Sequence, residues 1–226
     1  MLSANNESAM ALLQQYSLFL GMSHSELLQL VGNTRFDFRK FEQRKVVVRE
    51  GDTSTHLMFL VKGTVTVTSA PDDHSYEVLE HLSAPWMIEP ECLFGLHARY
   101  TKTVLAESDC QFLLLSKSEV LRLFDTFLTF RLNSLNLLSA TAQQRAHRFW
   151  RRAPQTLEER IARFFIDHCI YPAGTKEFRI LMTQLAEHLN DSRLDVSHSL
   201  NLMQQQGLVE LHRGRIIVPS LERLFM

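Results

Sequence analysis

Three textures of apolar and polar positions follow one another along the chain. In residues 8–31, Phe19, Met22, Leu27, Leu28 and Val31 fall at roughly helical spacing. This predicts short helices, the second capped by Ser23 or Ser25. From Phe36 to about Leu115 the pattern becomes short apolar runs separated by turn residues. The predicted strands are Arg35–Phe41, Lys45–Arg49, His56–Lys62, Thr64–Ser69, Tyr76–His81, Thr101–Ala106 and Gln111–Leu115. Strict alternation in Thr64-Val65-Thr66-Val67-Thr68 marks a half-buried strand. Turn signals stand at Glu50-Gly51-Asp52, Lys62-Gly63 and Ala70-Pro71-Asp72-Asp73. Many short strands at this spacing predict an antiparallel barrel or jelly roll.

From Ser118 the pattern turns helical and stays so. Leu121, Leu128, Leu135, Ala142 and Phe149 recur every seven residues, with Leu132, Ser139 and Ala146 interleaved. Asn133, Asn136, Gln143, Gln144 and several arginines take the other face. A narrow apolar seam of about four heptads suits packing against another helix. It could lie along the chain's own barrel. Because it continues past the barrel, a second copy of the chain is the better partner, through Leu128, Leu132, Leu135, Ser139 and Ala142. Pro154 ends this helix. Thr156-Leu157-Glu158-Glu159 then reads as a capping box, opening a helix with Ile161, Phe164, Phe165 and His168 at core spacing. That helix stops near Tyr171-Pro172-Ala173-Gly174. A boundary near 152–155 gives an α+β chain with a barrel over 1–117, a dimerisation helix and hinge over 118–153, and a C-terminal domain over 154–226.

In that last segment, Phe178–Ile180 predicts a short strand, followed by helices at about 182–189 and 192–206. Gly207 ends the second helix. Leu208–His212 and Arg215–Val218, joined at Arg213-Gly214, form a hairpin. Helix, tight polar turn, helix and hairpin make a winged helix-turn-helix. Leu185, Ala186, Leu189, Val196, Leu200 and Met203 face inward. Ser192, Arg193, Leu194, Ser197, His198 and Asn201 face outward. Arg193, at the helix start, suits a bidentate contact to guanine O6 and N7. Ser192 and Ser197 suit phosphate oxygens. His198 is a further candidate, and Arg213 and Arg215 flank the wing turn within reach of phosphate or minor groove.

Charge qualifies this picture. Of 226 residues, 24 are Lys or Arg and 25 Asp or Glu. Residues 126–157 carry five arginines and no acid, whereas residues 158–226 carry 8 basic and 9 acidic residues. A DNA-binding domain is usually more basic, which favours a rival reading: a ligand-binding or protein-interaction module whose winged helix contacts protein. Local charge answers it, since Arg193, Arg213 and Arg215 are expected on one face. Cys92, Cys110 and Cys169 are scattered, which argues against a disulfide framework and a zinc site. With no signal-peptide pattern at the N-terminus and no membrane-length apolar run, a soluble cytoplasmic protein is expected. There is no Ser-His-Asp arrangement, phosphate loop or metal-ligand spacing to suggest an enzyme.

Together these residues resemble the CRP/FNR superfamily of bacterial transcription regulators. The first signature is Glu50-Gly51-Asp52 followed by Met58-Phe59-Leu60-Val61-Lys62-Gly63-Thr64-Val65, similar to the family's cyclic-nucleotide-binding barrel. The second is Ala186, Asp191-Ser192-Arg193, Val196-Ser197-His198, Leu202 and Gly207-Leu208, similar to its helix-turn-helix. The resemblance covers nearly the whole chain. It implies a homodimer, a palindromic operator on double-stranded DNA, and RNA polymerase as a partner. The family's nucleotide binders hold ribose and cyclic phosphate with a Gly-Glu turn and a later Arg-Ser/Thr. Here Glu91 and Thr101 match, but Pro90 replaces the glycine and Tyr100 the arginine. A phosphate without its bidentate arginine loses roughly 1.5–3 kcal/mol, so neither cyclic AMP nor cyclic GMP is the expected effector. Glu91, Cys92, Tyr100 and Thr101 line this degenerate cassette, and Glu89 and Glu91 read as a solvated pair. Three cysteines are too few for an iron–sulfur cluster, and His81, His97 and Cys92 are only nominal haem ligands, so no cofactor is expected. The family's better-known members often carry Glu after the arginine. Leu194 can meet a thymine methyl but cannot accept from cytosine, which predicts a different operator.

Overall fold

The computed structural model describes residues 2–148 and 150–225. By compactness the chain gathers into two units. One comprises Met1–Val65, Leu82–Thr101 and Leu105–Trp150, the other Thr66–His81, Lys102–Val104 and Arg151–Met226.

The first unit begins with α1 (Leu2–Leu13) and α2 (His24–Asn33), then β1 (Asp37–Phe41), β2 (Val46–Val48) and β3 (His56–Lys62). Next in the chain come β4 (Thr64–Ser69) and β5 (Glu77–Ser83), most of whose residues belong to the second unit, then β6 (Trp86–Ile88), β7 (Thr103–Ala106), β8 (Cys110–Ser116), α3 (Lys117–Thr126) and α4 (Leu128–Arg148). The antiparallel sheet β1-β8-β3-β6 sets Met58 opposite both Leu114 and Ile88. Ser23 caps α2 in a full capping box with Glu26. Phe19 stacks between Phe59 and Phe130, and the Tyr16 ring stands edge-on to Phe59 at 4.9 Å. The Tyr16 hydroxyl donates to the Leu60 carbonyl at 2.7 Å, and burial pushes the phenol up to about 12. Gly63, at φ +99°, closes the β3–β4 turn. A Cβ there would lie 2.7 Å from the Asp109 carbonyl oxygen, so no other residue fits.

Two expectations change in this unit. Strand β6 was not foreseen. The long helix foreseen from Ser118 is instead two helices, broken where Phe127 caps α3 with its N–H on Leu123 O. Leu121 therefore sits on α3, and the seam on α4 begins at Leu128. Phe149 lies outside the described residues.

The second unit holds α5 (Leu157–Asp167), β9 (Lys176–Arg179), α6 (Met182–Leu189), α7 (Arg193–Gln205), β10 (Glu210–His212) and β11 (Arg215–Val218). Its strands run β10-β11-β9-β5-β4. The core is Ile161, Phe165, Phe178, Leu185, Val196, Leu200, Val218 and Leu221, joined by Tyr76 and Val78. All six predicted inward residues of the helix pair are buried. Thr156 does accept from Glu159 N, but the Glu159 carboxylate turns back one residue further, to Gln155 N at 2.6 Å. His168 is exposed rather than core, because α5 stops there and the ring caps it, lying against Phe164 at 4.3 Å.

Candidate nucleic-acid interface and effector cassette

The turn between α6 and α7 is built from named groups. Asn190 takes the left-handed conformation at φ +50°, and Asp191 N reaches back to Ala186 O at 3.0 Å, closing α6 in a Schellman ending. Asp191 then accepts from Ser192 N at 2.8 Å and from Arg160 of α5 at 2.5 Å. Arg160 also donates to Leu189 O at 2.9 Å. These contacts hold the Asp191 carboxyl below the usual aspartate range, first through the Ser192 amide and then through Arg160. Ser199 of α7 donates to Glu158 of α5 at 3.2 Å, a second tie between those helices.

On α7, Arg193 and His198 are exposed, Leu194 is 81% exposed and Ser197 is half-buried. Ser192 has a local task that its reading as a phosphate ligand did not include. Its hydroxyl accepts from Asp195 N at 3.1 Å and donates to Asp195 Oδ2 at 2.7 Å, so it is the N-cap of α7. At the wing, Arg213 is exposed beside Gly214, whose φ is +69°. Arg215 is half-buried, 3.9 Å from Glu177. The hinge arginines are partly engaged within the protein: Arg145 pairs with Glu91 at 2.9 Å and Arg151 with Asp167 at 3.3 Å.

The cassette is organised around a residue that the sequence reading left in solvent. Glu89 is only 7% exposed and stands at φ +31°, just before the Pro90–Leu93 turn. Its carboxylate accepts the Thr101 backbone amide at 2.9 Å and also the Thr101 hydroxyl. Glu91, which was matched to the family's glutamate, turns instead to Arg145 of α4. Tyr100 is buried, its phenol pushed up by burial, with its hydroxyl 3.4 Å from His56 O. Tyr100 also lies within electrostatic reach of Cys92 and Glu89. Cys92 is buried and in no disulfide. Arg99 donates to Gly51 O at 2.6 Å. A separate cavity of about 30 Å³, lined by Leu57, Pro90, Leu93 and Phe94 together with residues of α3 and α4, includes none of Glu89, Glu91, Cys92, Tyr100 and Thr101. Nothing in the sequence marked Glu89 except its place before a proline, where left-handed backbone is unusual.

Among the described residues there is no group of three or more His, Cys, Asp or Glu able to hold a metal ion. None of their helices is long and apolar enough to cross a membrane.

Residues 38–127 match the cyclic nucleotide-binding domain model and residues 159–225 the Crp-like helix-turn-helix domain model. No curated protein matches the sequence. Among solved structures, the chain resembles the Thermus thermophilus catabolite activator protein at 20% identity and a TM-score of 0.53, over 93% of this chain and 97% of that one. It also resembles the sensor domain of the transcriptional regulator DNR from Pseudomonas aeruginosa at 22% identity and a TM-score of 0.53, over 67% of this chain and 97% of that one. At such identities these likenesses establish the fold.

Proposed function

The chain belongs to the CRP/FNR family of transcription regulators, and on that premise we propose that it acts as a homodimer on a palindromic operator and does not respond to cyclic AMP. The observation that carries the DNA-reading part is the first two turns of α7, which present Arg193, Leu194 and His198 to solvent while Asp191 and Ser192 fix the helix start. Arg193 takes a guanine, Leu194 a thymine methyl, and Arg213 and Arg215 the flanking phosphates or minor groove. Ser197 joins the phosphate contacts. The division into sensor (1–117), dimerisation helix and hinge (118–153) and DNA-binding domain (154–226) follows from this reading. A cytoplasmic location and RNA polymerase as a partner belong to the same proposal.

Dimerisation is supported by α4. Leu128, Leu132 and Leu135 are 57%, 49% and 55% exposed, and Ser139 and Ala142 continue the same exposed face. Such a row of leucines at heptad spacing suits a facing copy of itself. Indifference to cyclic AMP is supported by the cassette. The Thr101 donors that the family aims at the cyclic phosphate are held by Glu89, Tyr100 replaces the arginine, and Glu91 is turned away.

Footprinting of the protein across its own chromosome tests the DNA-reading proposal. A shared palindromic motif, lost with Arg193→Ala, is the expected result; binding without sequence preference overturns it. Calorimetric titration with cyclic AMP is expected to give no heat, and micromolar binding overturns that part. The rival protein-contact reading predicts no steep fall of DNA affinity with salt, whereas DNA reading requires one.

A further inference from the structure

The β4–β5 hairpin lies within residues 38–127, the stretch that matches the cyclic nucleotide-binding domain, yet by packing residues 66–81 belong to the compact unit that carries the helix-turn-helix. Strand β5 runs antiparallel to β9 over four pairs, from Glu77 opposite Arg179 to Glu80 opposite Lys176. The winged sheet therefore continues from β11 and β9 directly into β5. Tyr76, at the head of β5, is buried in the core of this unit. Its ring stands edge-on to His188 of α6 at 5.0 Å and to His168 at 5.6 Å.

Glu80 is the fulcrum of this arrangement. It is fully buried and forms an ion pair with Lys176 at 2.6 Å, the lysine side chain being 3% exposed. The same carboxylate accepts the Ile170 amide at 2.7 Å and the Tyr171 amide at 3.3 Å, just past the end of α5. One side chain from the hairpin thus fixes both β9 and the loop leading to it. A buried charge stripped of its partner is costly, so neither Lys176 nor these amides has an equally good arrangement without Glu80. Strand β9 in turn leads into α6 and pairs with β11, which carries Arg215.

We propose that Glu80 is a positioning residue for DNA reading: the hairpin is a built-in strand of the DNA-reading unit, and Glu80 sets where β9, the wing and α6 stand. This rests on the DNA-reading function proposed above. It means that a change in the hairpin reaches the wing through a paired strand and a buried charge.

The test uses full-length Glu80→Gln at a temperature where circular dichroism shows it folded. Without DNA, amide hydrogen exchange is expected to quicken at least tenfold in β9 and β11 and to stay unchanged in β1, β3 and β8. With DNA, affinity for the footprinted operator is expected to fall at least tenfold, while affinity for a random duplex and its salt slope stay within twofold. A purely stabilising role would lower the melting temperature and leave the operator-to-random ratio intact, and that result overturns the proposal, as does unchanged exchange in β9. If the wild-type protein does not discriminate DNA sequence, the DNA-reading function fails on that arm, and unaltered β9 exchange alone then decides against the hairpin. Should Glu80→Gln not fold, Tyr76→Leu keeps an apolar side chain in the core, removes the ring contacts with α6, and makes the same test.

Discussion

Thr101 donates both its backbone amide and its hydroxyl to the carboxylate of Glu89. Glu89 also sits at φ +31°, a conformation that costs a residue with a Cβ more than it costs glycine. Two effects of opposite sign therefore meet at one position. Glu89→Ala loses the charge-assisted bonds and keeps the backbone strain, for a loss of about 1–3 kcal/mol. Glu89→Gly loses the bonds but relieves the strain, and is expected to unfold in urea at about 1 kcal/mol higher stability than the alanine variant. Neither variant is expected to gain cyclic-AMP binding, because Tyr100 still stands in the arginine's place. Micromolar binding by Glu89→Gly would show that Glu89 alone blocks the site.

Ser192 separates a capping role from a DNA contact. Its hydroxyl takes the free Asp195 amide at the start of α7. Ser192→Ala is expected to lower stability by about 1 kcal/mol. Ser192→Asn keeps an acceptor at the cap and is expected to restore stability and operator affinity together, read by chemical denaturation and fluorescence anisotropy. Restored stability with operator affinity still low would return the hydroxyl to the phosphate.

Arg193→Ala leaves an exposed position with no core contact to lose. Stability should hold within about 0.5 kcal/mol, while specific binding falls by about 1–3 kcal/mol per half-site. A gel shift on the operator with no loss of affinity would remove Arg193 from the base contacts.

The strands at 56–62, 64–69 and 215–218 were legible to the residue, the middle one from its alternation and the other two as short apolar runs beside the Gly63 and Gly214 turns. The helix pair was legible because Leu185, Leu189, Val196 and Leu200 mark one buried face. Strand β6 was not, since three residues carry no period. The break at Phe127 was invisible because no Gly or Pro announces it and the heptad spacing runs through it undisturbed. The Glu89–Thr101 contact spans 12 positions and the Glu80–Lys176 pair 96. Neither partner has a local signal. Only the folded register brings them together, so the cassette's occupant and the hairpin's allegiance had to come from the structure.

The seam on α4 gives a prediction about assembly. Leu132 and Leu135 are half-exposed within one protomer, whereas Phe130 and Ser134 on the opposite side are buried. Leu132→Glu with Leu135→Glu is therefore expected to leave the protomer folded and to shift sedimentation from dimer to monomer at micromolar concentration. An unchanged dimer would place the interface elsewhere.

The contact of Arg160 with Asp191 carries a pH signature. The Asp191 carboxyl is held below its ordinary value, so its ionised form is favoured in the folded chain. Its stabilising effect is fully present above the unfolded aspartate value of about 3.9 and is lost as pH falls through the lower folded value. Asp191→Asn is expected to lower the melting temperature at pH 7, because the neutral amide attracts Arg160 less and the turn before α7 loosens. The difference from wild type should begin to shrink as pH drops below about 4, where the carboxyl of the unfolded wild-type chain takes up a proton before the folded one does. Scanning calorimetry at pH 7, 5 and 3.5 reads it directly. A gap that persists undiminished at the lowest pH would mean that Asp191 acts through the shape of the turn and not through its charge.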